Sequence, residues 1–495
     1  MVAPGVLRLP DPGTISGACS ARLSEQPDRL LFHADETWTS RGDFMDRTAA
    51  VAGRLAGTGL VAGDRVLLSG PSSVDLVVAH VACLRSGLVV VPVNGGYTKA
   101  ELAHIVADSR PSAALVDQDG WKEILVGLSP ELRVAGTDIR WDDGPVPNLD
   151  SAASADPALI GYTSGTTGVP RGAVLTQANL LAGAESVRRA WHWTAEDRLL
   201  LCLPLFHMHG LGVGLHGSLL TGASAVLQQG FEPRRVLRGI VDHDCTMFFG
   251  VPTMYHRLVD DEAVGALGDL RLCVSGSAPL SPLLHGRLRA QAGISVLERY
   301  GMTETVMLVS NPYDQERRAG SVGFPLPGVE LRLADGTGEI QVRGPNVFTG
   351  YWERPDADAE AFVDGPGGRW FRTGDLGSID DDGYLSIIGR AKELIITGGL
   401  NVHPREVDDV LAGHPGLSEV AVAGVPSEEW GEDVVAWIVP LPGSPTPNVE
   451  DIRAFASTNL AAHKLPRRVV VVDALPRNVL GKVLRHELRE AVAHG

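Results

Sequence analysis

Long apolar runs are missing from this sequence. The longest spans about eight residues, against the ~20 that a helix needs to cross a bilayer, so no membrane partner is expected. Met1 to Pro12 lacks a cationic stretch followed by an apolar run, so no secretory leader is expected either. Cysteine is sparse: Cys19, Cys83, Cys202, Cys245 and Cys273 are scattered, and no C-x-x-C occurs. That excludes a zinc or dithiol signature and suits a reducing, cytoplasmic location. Positive charge is also in deficit. With 43 Lys+Arg against 60 Asp+Glu the formal net charge is −17, and no basic stripe offsets it, which argues against a nucleic-acid partner. An anionic substrate must then rely on local cations and a metal. Finally, no G-x-x-x-x-G-K-[ST] is present, so a Walker loop is excluded.

What is present begins with length. A chain of 495 residues exceeds one ordinary domain, so two or more lobes are expected. The stretch Tyr162-Thr163-Ser164-Gly165-Thr166-Thr167-Gly168-Val169-Pro170-Arg171-Gly172 follows the apolar Ala158-Leu159-Ile160. Its glycines allow backbone bends with φ > 0 and close approach to a ligand. Successive N–H groups in such a bend form an anion-binding hollow. Thr163, Ser164, Thr166 and Thr167 add hydroxyl donors, and Arg171 adds a positive fork. The combination suits gripping a polyphosphate; a polar surface loop is the plainer alternative.

Short apolar runs alternate with amphipathic stretches. Val66–Leu68, Leu88–Val93, Ala113–Val116, Leu199–Leu205, Ser224–Leu227, Met247–Val251 and Leu272–Val274 read as strands. Val74–Leu84 and Leu102–Ala107 read as helices between them, which implies βαβ units and largely parallel sheets. From Val329 the strands come closer together: Leu331–Leu333, Gly338–Val342 and Tyr384–Ile388 suggest a small antiparallel β subdomain over about 329–390. A distinct block follows Gly389-Arg390-Ala391-Lys392. Pro404 opens a helix with an apolar face of Val407, Val410 and Leu411. Val420–Val422, Val434–Val439 and Val469–Val472 read as strands, and residues 441–449 as a Pro-rich loop. The expected fold is therefore α/β. Residues 1–390 form a large domain of parallel βαβ sheets with its β subdomain, and 391–495 form a small, mobile α+β domain.

The glycine- and hydroxyl-rich stretch closely resembles the phosphate loop of the adenylate-forming superfamily of acyl-CoA synthetases, adenylation domains and luciferases. Tyr300-Gly301-Met302-Thr303-Glu304-Thr305 resembles that family's Y-G-x-T-E motif, and Arg372-Thr373-Gly374-Asp375 its T-G-D motif. Pro476-Arg477-Asn478-Val479-Leu480-Gly481-Lys482 resembles the frame of its late lysine. The resemblance covers nearly the whole chain from about residue 30. It implies that a carboxylate attacks the α-phosphate of ATP, releasing pyrophosphate, and that coenzyme A then displaces AMP from the acyl-adenylate.

The resemblance also distributes roles. ATP falls to Thr163, Ser164, Gly165, Thr166, Thr167, Gly168, Arg171, Ser277, Glu298, Arg299, Tyr300, Gly301, Met302, Thr303, Asp375 and Arg390. Asp375 would take the ribose hydroxyls. Glu304 would bind Mg²⁺, a hard cation suited to carboxylate oxygen. Lys482, with Thr303, Glu304 and His207, would carry catalysis, the lysine by stabilising charge on the transferring group. Lys392 sits at the family's hinge, and Gly398, Gly399 and Leu400 would help form the thiol channel after domain rotation.

Phe206-His207-Met208-His209-Gly210-Leu211, Gly250-Val251-Pro252-Thr253-Met254-Tyr255-His256-Arg257 and Leu297-Glu298-Arg299-Tyr300 narrow the resemblance to malonyl-CoA synthetases. In that subgroup two arginines, here Arg257 and Arg299, recognise the substrate's second carboxylate, as planar guanidinium suits. Pairing with Asp260 or Glu298 is the alternative use of these arginines, and a core position is the alternative use of His207. Ser275, Met307 and Leu308 complete the implied acyl site. Two departures stand out: Val306-Met307-Leu308-Val309 where the subgroup is typically polar, which suits a substituted malonate or a bulkier acid, and Arg171 where the family most often has lysine. Alternatives to a malonate-type synthetase are one for a bulkier acid, one loading an acyl carrier protein in place of coenzyme A, a member competent only in thioester formation, and a non-catalytic nucleotide- or acyl-adenylate-binding protein.

Overall fold

The computed structural model describes residues 7–9, 13–163, 170–477 and 481–493. Among these residues the strands assemble into four sheets. In the first, Leu297–Tyr300, Leu272–Ser275, Met247–Gly250, Arg198–Leu201, Ser224–Leu227 and Leu30–Ala34 lie side by side and parallel. In the second, Arg133–Ala135, Ala113–Val116, Arg65–Ser69, Val89–Pro92 and Pro157–Thr163 are parallel. Arg171–Thr176 and Gly350–Tyr351 extend it antiparallel.

The sequence dictates this layering. Parallel strands covered on both faces need apolar side chains at every position. Alternate residues then serve different cores. Leu199 and Leu201 share one core with Val66 and Leu68 of the other sheet and with the helices Ile15–Ser24, Arg41–Gly57, Val74–Arg85 and Gln177–Ala190. Leu200 faces a second core beneath Pro233–Asp242 and Pro282–Ala292. Leu67 faces a third beneath Lys99–Ser109 and Trp121–Leu128.

An antiparallel sheet of Glu330–Leu333, Glu339–Arg343, Gly368–Ile379, Phe362–Gly365 and Leu385–Arg390 follows. The C-terminal sheet, also five-stranded, contains Ile395–Thr397, Leu400–Val402, Leu417–Ser427, Gly431–Pro440 and Arg468–Val471. Val422, Val434 and Ala436 meet Val407, Leu411 and Ile452 on one side of it. Ala421, Val435 and Trp437 meet Leu488 on the other.

One strand is shorter than its apolar run implies. Leu199–Leu205 ends as a strand at Leu201. Pro204 has no N–H for a ladder, and His209–Leu215 winds into a wide π-type turn. No helix among the described residues is long and apolar enough to cross a membrane.

Candidate active site

The antiparallel pair Pro157–Thr163 and Arg171–Thr176 flanks the glycine- and hydroxyl-rich stretch, with Thr163 opposite Arg171. The Thr163 hydroxyl donates to the Arg171 carbonyl at 3.4 Å. Ser164, Gly165, Thr166, Thr167 and Gly168 lie outside the described residues. Thr303 packs against the same hairpin: a Cβ at Gly161 would come within 2.4 Å of its methyl group. Only glycine permits that approach, and it sets the tight turn Thr303–Thr305 beside the root of the loop. Glu304 is buried there and accepts the Tyr351 hydroxyl at 3.1 Å. Burial raises its pKa. The Arg171 guanidinium lies 5.8 Å from the Tyr351 ring centroid and 3.8 Å from the Glu360 carboxylate.

A desolvated carboxylate with one hydroxyl partner gains from a hard cation, so Glu304 fits magnesium. Among the described residues no three His, Cys, Asp or Glu side chains gather in metal-binding fashion. A cation at Glu304 would draw its other ligands from phosphate oxygens and water.

A second cluster faces it. Asp375 is buried, accepts the Tyr300 hydroxyl at 2.6 Å, and pairs with Arg390 at 2.9 Å. These two residues are cross-strand partners, so the sheet itself fixes the pair. The carboxylate raises the Arg390 pKa. Half-buried Lys482 shares this space. Burial lowers its pKa, the Arg390 charge lowers it further, and Glu393 and Asp375 oppose both. Gly481 sits against Thr253, whose Oγ1 would lie 2.6 Å from a Cβ there.

The third cluster is polar, buried and unsatisfied. Arg299 Nε and Nη2, His207 Nε2, both ring nitrogens of His209, and Ser275 Oγ have no hydrogen-bond partner among the described residues. The Arg299 guanidinium lies where a Cβ on Gly276 would come within 2.3 Å of its Cζ. Burial pushes its pKa down to about 9. Burial, then the Arg299 and His207 charges, holds His209 well below the usual imidazole range, and burial pushes His207 down to about 4. Both rings are therefore neutral at pH 7.

Other expected residues fall differently. Arg257 is exposed, with its guanidinium 5.1 Å from the Phe231 ring, and does not join Arg299 in the buried cluster. Asp260 pairs with Arg287 at 2.6 Å, leaving neither expected arginine bound to it. Glu298 accepts Gly320 N–H at 2.9 Å and Leu280 N–H at 3.3 Å. Its carboxylate is thus engaged in bracing the loops beside the site. Ser277 occupies a positive φ of 69° after the strand Leu272–Ser275. Gly301 packs on Met307, and Met307 and Leu308 are wholly buried in the main core. Gly398 and Gly399 turn the hairpin ahead of Leu400, which is 50% exposed. Lys392 lies in the turn Ala391–Glu393. Sequence reasoning passed over His209, Asn346 and Tyr351. The His-x-His spacing was the available signal for His209; nothing local marked the other two.

A parallel α/β platform that sets the root of a glycine-rich hairpin, the Asp375–Arg390 pair and a lysine from a smaller C-terminal domain around one space has the arrangement of an adenylate-forming enzyme. The chain belongs to the AMP-binding enzyme family: that family's model matches residues 19–352, and the model of its C-terminal domain matches 406–482. It is an AMP-forming acid–CoA ligase, with ATP and coenzyme A as its co-substrates. A feruloyl-CoA synthase of an Amycolatopsis species is 36% identical over 484 residues, covering 95% of this chain and 96% of that one. The ATP-bound structure of MatB from Rhodopseudomonas palustris superposes with a TM-score of 0.90 at 36% identity, covering 97% and 99%. A malonyl-CoA ligase in a ternary product complex with methylmalonyl-CoA and AMP is 43% identical, with a TM-score of 0.67, covering 91% and 97%.

Proposed function

We propose that this ligase activates a small carboxylic acid bearing a second anionic group, a malonate or substituted malonate, and transfers it to coenzyme A. The observation that carries the reading is the buried, unsatisfied cluster of Arg299, His209, Ser275 and His207. A buried guanidinium without a counter-ion is costly. A substrate carboxylate supplies the missing charge and acceptors together. The methylmalonyl-CoA bound to a 43% identical relative supports the same chemistry.

In the first half-reaction the hydroxyls and N–H groups of residues 163–168, with Arg171 and Thr303, grip the β- and γ-phosphates. Asp375 holds the ribose, and Ser277, Tyr300, Gly301 and Met302 border the adenine. Arg390 and Lys482 place positive charge where the acid's oxygen meets the α-phosphate, and pyrophosphate leaves. Bound at Glu304, magnesium would neutralise phosphate charge during that displacement. Lys482 lies beside Asp375 and Arg390, and the Gly398–Leu400 hairpin is exposed; both support an adenylation-ready arrangement. The higher TM-score with an ATP-bound relative supports it too. The domain 391–495 then turns about Lys392, replacing Lys482 with the hairpin for attack by the thiol.

A second reading, a bulkier acid, is favoured by the feruloyl-CoA synthase relative. The two separate on a panel of malonate, methylmalonate, acetate and ferulate, with pyrophosphate and acyl-CoA measured separately. Arg299→Met is expected to cost ~2–5 kcal/mol in kcat/KM for a diacid, as for a stranded buried charge, and little for acetate. Turnover of ferulate with none of either diacid overturns the proposal.

A further inference from the structure

The segment Asn346–Tyr351 touches both halves of the phosphate site. Its strand Gly350–Tyr351 pairs with the hairpin strand that starts at Arg171, Gly350 opposite Val174 and Tyr351 opposite Ala173. On its other side it holds the Thr-Glu turn by four hydrogen bonds. Asn346 Nδ2 donates to the Thr305 carbonyl at 2.9 Å and to the Met307 carbonyl at 2.7 Å. Phe348 N–H donates to the Glu304 carbonyl at 2.8 Å. The Tyr351 hydroxyl donates to Glu304 Oε1 at 3.1 Å.

The turn being held is one that would not persist alone. Val306 adopts φ 57° and ψ −70°, and Met307 N–H closes back on the Thr305 carbonyl at 2.6 Å. That is a γ-turn of the rare, strained kind, here at a β-branched residue. The two carbonyls flanking Val306 are the ones Asn346 clamps. Asn346 is itself fully buried. Its neighbours are pinned in turn: Asn179, in the first turn of the helix after the hairpin, donates to the Pro345 and Val347 carbonyls at 2.7 and 3.0 Å. The bonds of Asn179 and Asn346, joined through the backbone of residues 345–347, therefore connect the hairpin's end at Thr176 to the backbone around the Thr303–Thr305 turn.

We propose that Asn346 and Tyr351 are positioning residues for the magnesium–triphosphate site: Asn346 fixes the backbone of the Thr303–Glu304 turn, and Tyr351 orients the Glu304 carboxylate. This rests on the reading of Glu304 as the magnesium ligand. The hydroxyl occupies Oε1 and leaves the other oxygen for the cation, while the same ring lies beneath Arg171. One aromatic side chain thus sets the cation's ligand and the loop's positive charge in register. Such partners of a ligand typically change metal affinity by 10–100-fold when removed.

The test is ATP binding by calorimetry at a series of magnesium concentrations, with wild type, Tyr351→Phe and Asn346→Ala. Tyr351→Phe keeps the ring on Phe348 and under Arg171 and removes one hydroxyl, so its melting temperature is expected to stay near wild type. Its magnesium concentration for half-maximal ATP binding is expected to rise about tenfold, with metal-free ATP binding unchanged. Saturating magnesium should restore pyrophosphate release to within about twofold of wild type, which a merely structural defect would lower at every concentration. Asn346→Ala is expected to raise the same constant with a lower melting temperature. Unchanged magnesium dependence in Tyr351→Phe overturns the proposal. Wild-type ATP binding that ignores magnesium would instead overturn the assignment of Glu304 on which it stands.

Discussion

Glu298 shows how burial can assign a residue a structural task inside a site. The sequence places it three residues before Gly301-Met302-Thr303-Glu304, among expected nucleotide contacts. In the structure it is 4% exposed and receives two backbone N–H groups. Burial outweighs those bonds and pushes its pKa up to about 7, from a reference of 4.5. The native state therefore holds its proton more tightly than the unfolded chain does. The resulting stabilisation is complete below pH ~4.5 and is lost progressively as pH rises through ~7. Thermal melting from pH 5 to 8 is expected to fall with pH, and Glu298→Gln to flatten that slope. An identical slope in the variant would remove Glu298 as its source. Arg299, one residue on, points the other way. Its Nε and Nη2 find no acceptor among the described residues; in the proposed function the substrate supplies one.

Among the elements, the buried parallel strands were the most legible. Ala113–Val116 and Ser224–Leu227 match their apolar runs residue for residue, because a strand covered on both faces has no polar interruptions. The helices Ile15–Ser24 and Arg41–Gly57 gave weaker patterns; their small and charged residues make contacts that local periodicity does not reveal. The site divides in the same manner. Thr303, Glu304, Asp375 and Lys482 stand in contiguous motifs, whereas Asn346 reaches Thr305 across 41 residues of sequence, and no local pattern announces that contact. Three residues after Lys482, Arg485 makes similarly remote contacts. Arg485 opens the last helix, donates to the Val422 carbonyl at 2.9 Å, pairs with Asp408, and lies 3.5 Å from Glu393 at the end of the turn Ala391–Glu393. Burial raises the Asp408 pKa to about 6, with Arg485 opposing the rise. Arg485→Ala is expected to slow acyl-adenylate formation by one to two orders of magnitude, as misplacement of a remote catalytic group does. The check is pyrophosphate release with the fold confirmed by circular dichroism; a wild-type rate would show that Lys482 is positioned without this brace.

At the scale of the whole molecule, one space must serve two reactions that need different side chains. Lys482 reaches it from one side of the C-terminal domain, near Asp375 and Arg390, while Gly398, Gly399 and Leu400 sit on an exposed hairpin of the same domain. On the proposed rotation the two alternate in that space, so the half-reactions should be separable by mutation. Lys482→Ala is expected to abolish most pyrophosphate release yet form acyl-CoA from supplied acyl-adenylate and coenzyme A at near the wild-type rate. Gly399→Val should do the reverse. Its φ of 76° is a conformation that a β-branched residue resists, so the hairpin would lose its shape, and acyl-adenylate should accumulate. The two variants together discriminate where either alone would not. Loss of both half-reactions in each variant would mean that the lysine and the hairpin act through one fixed arrangement. Opposite losses would place the rotation of the domain between the two chemical steps.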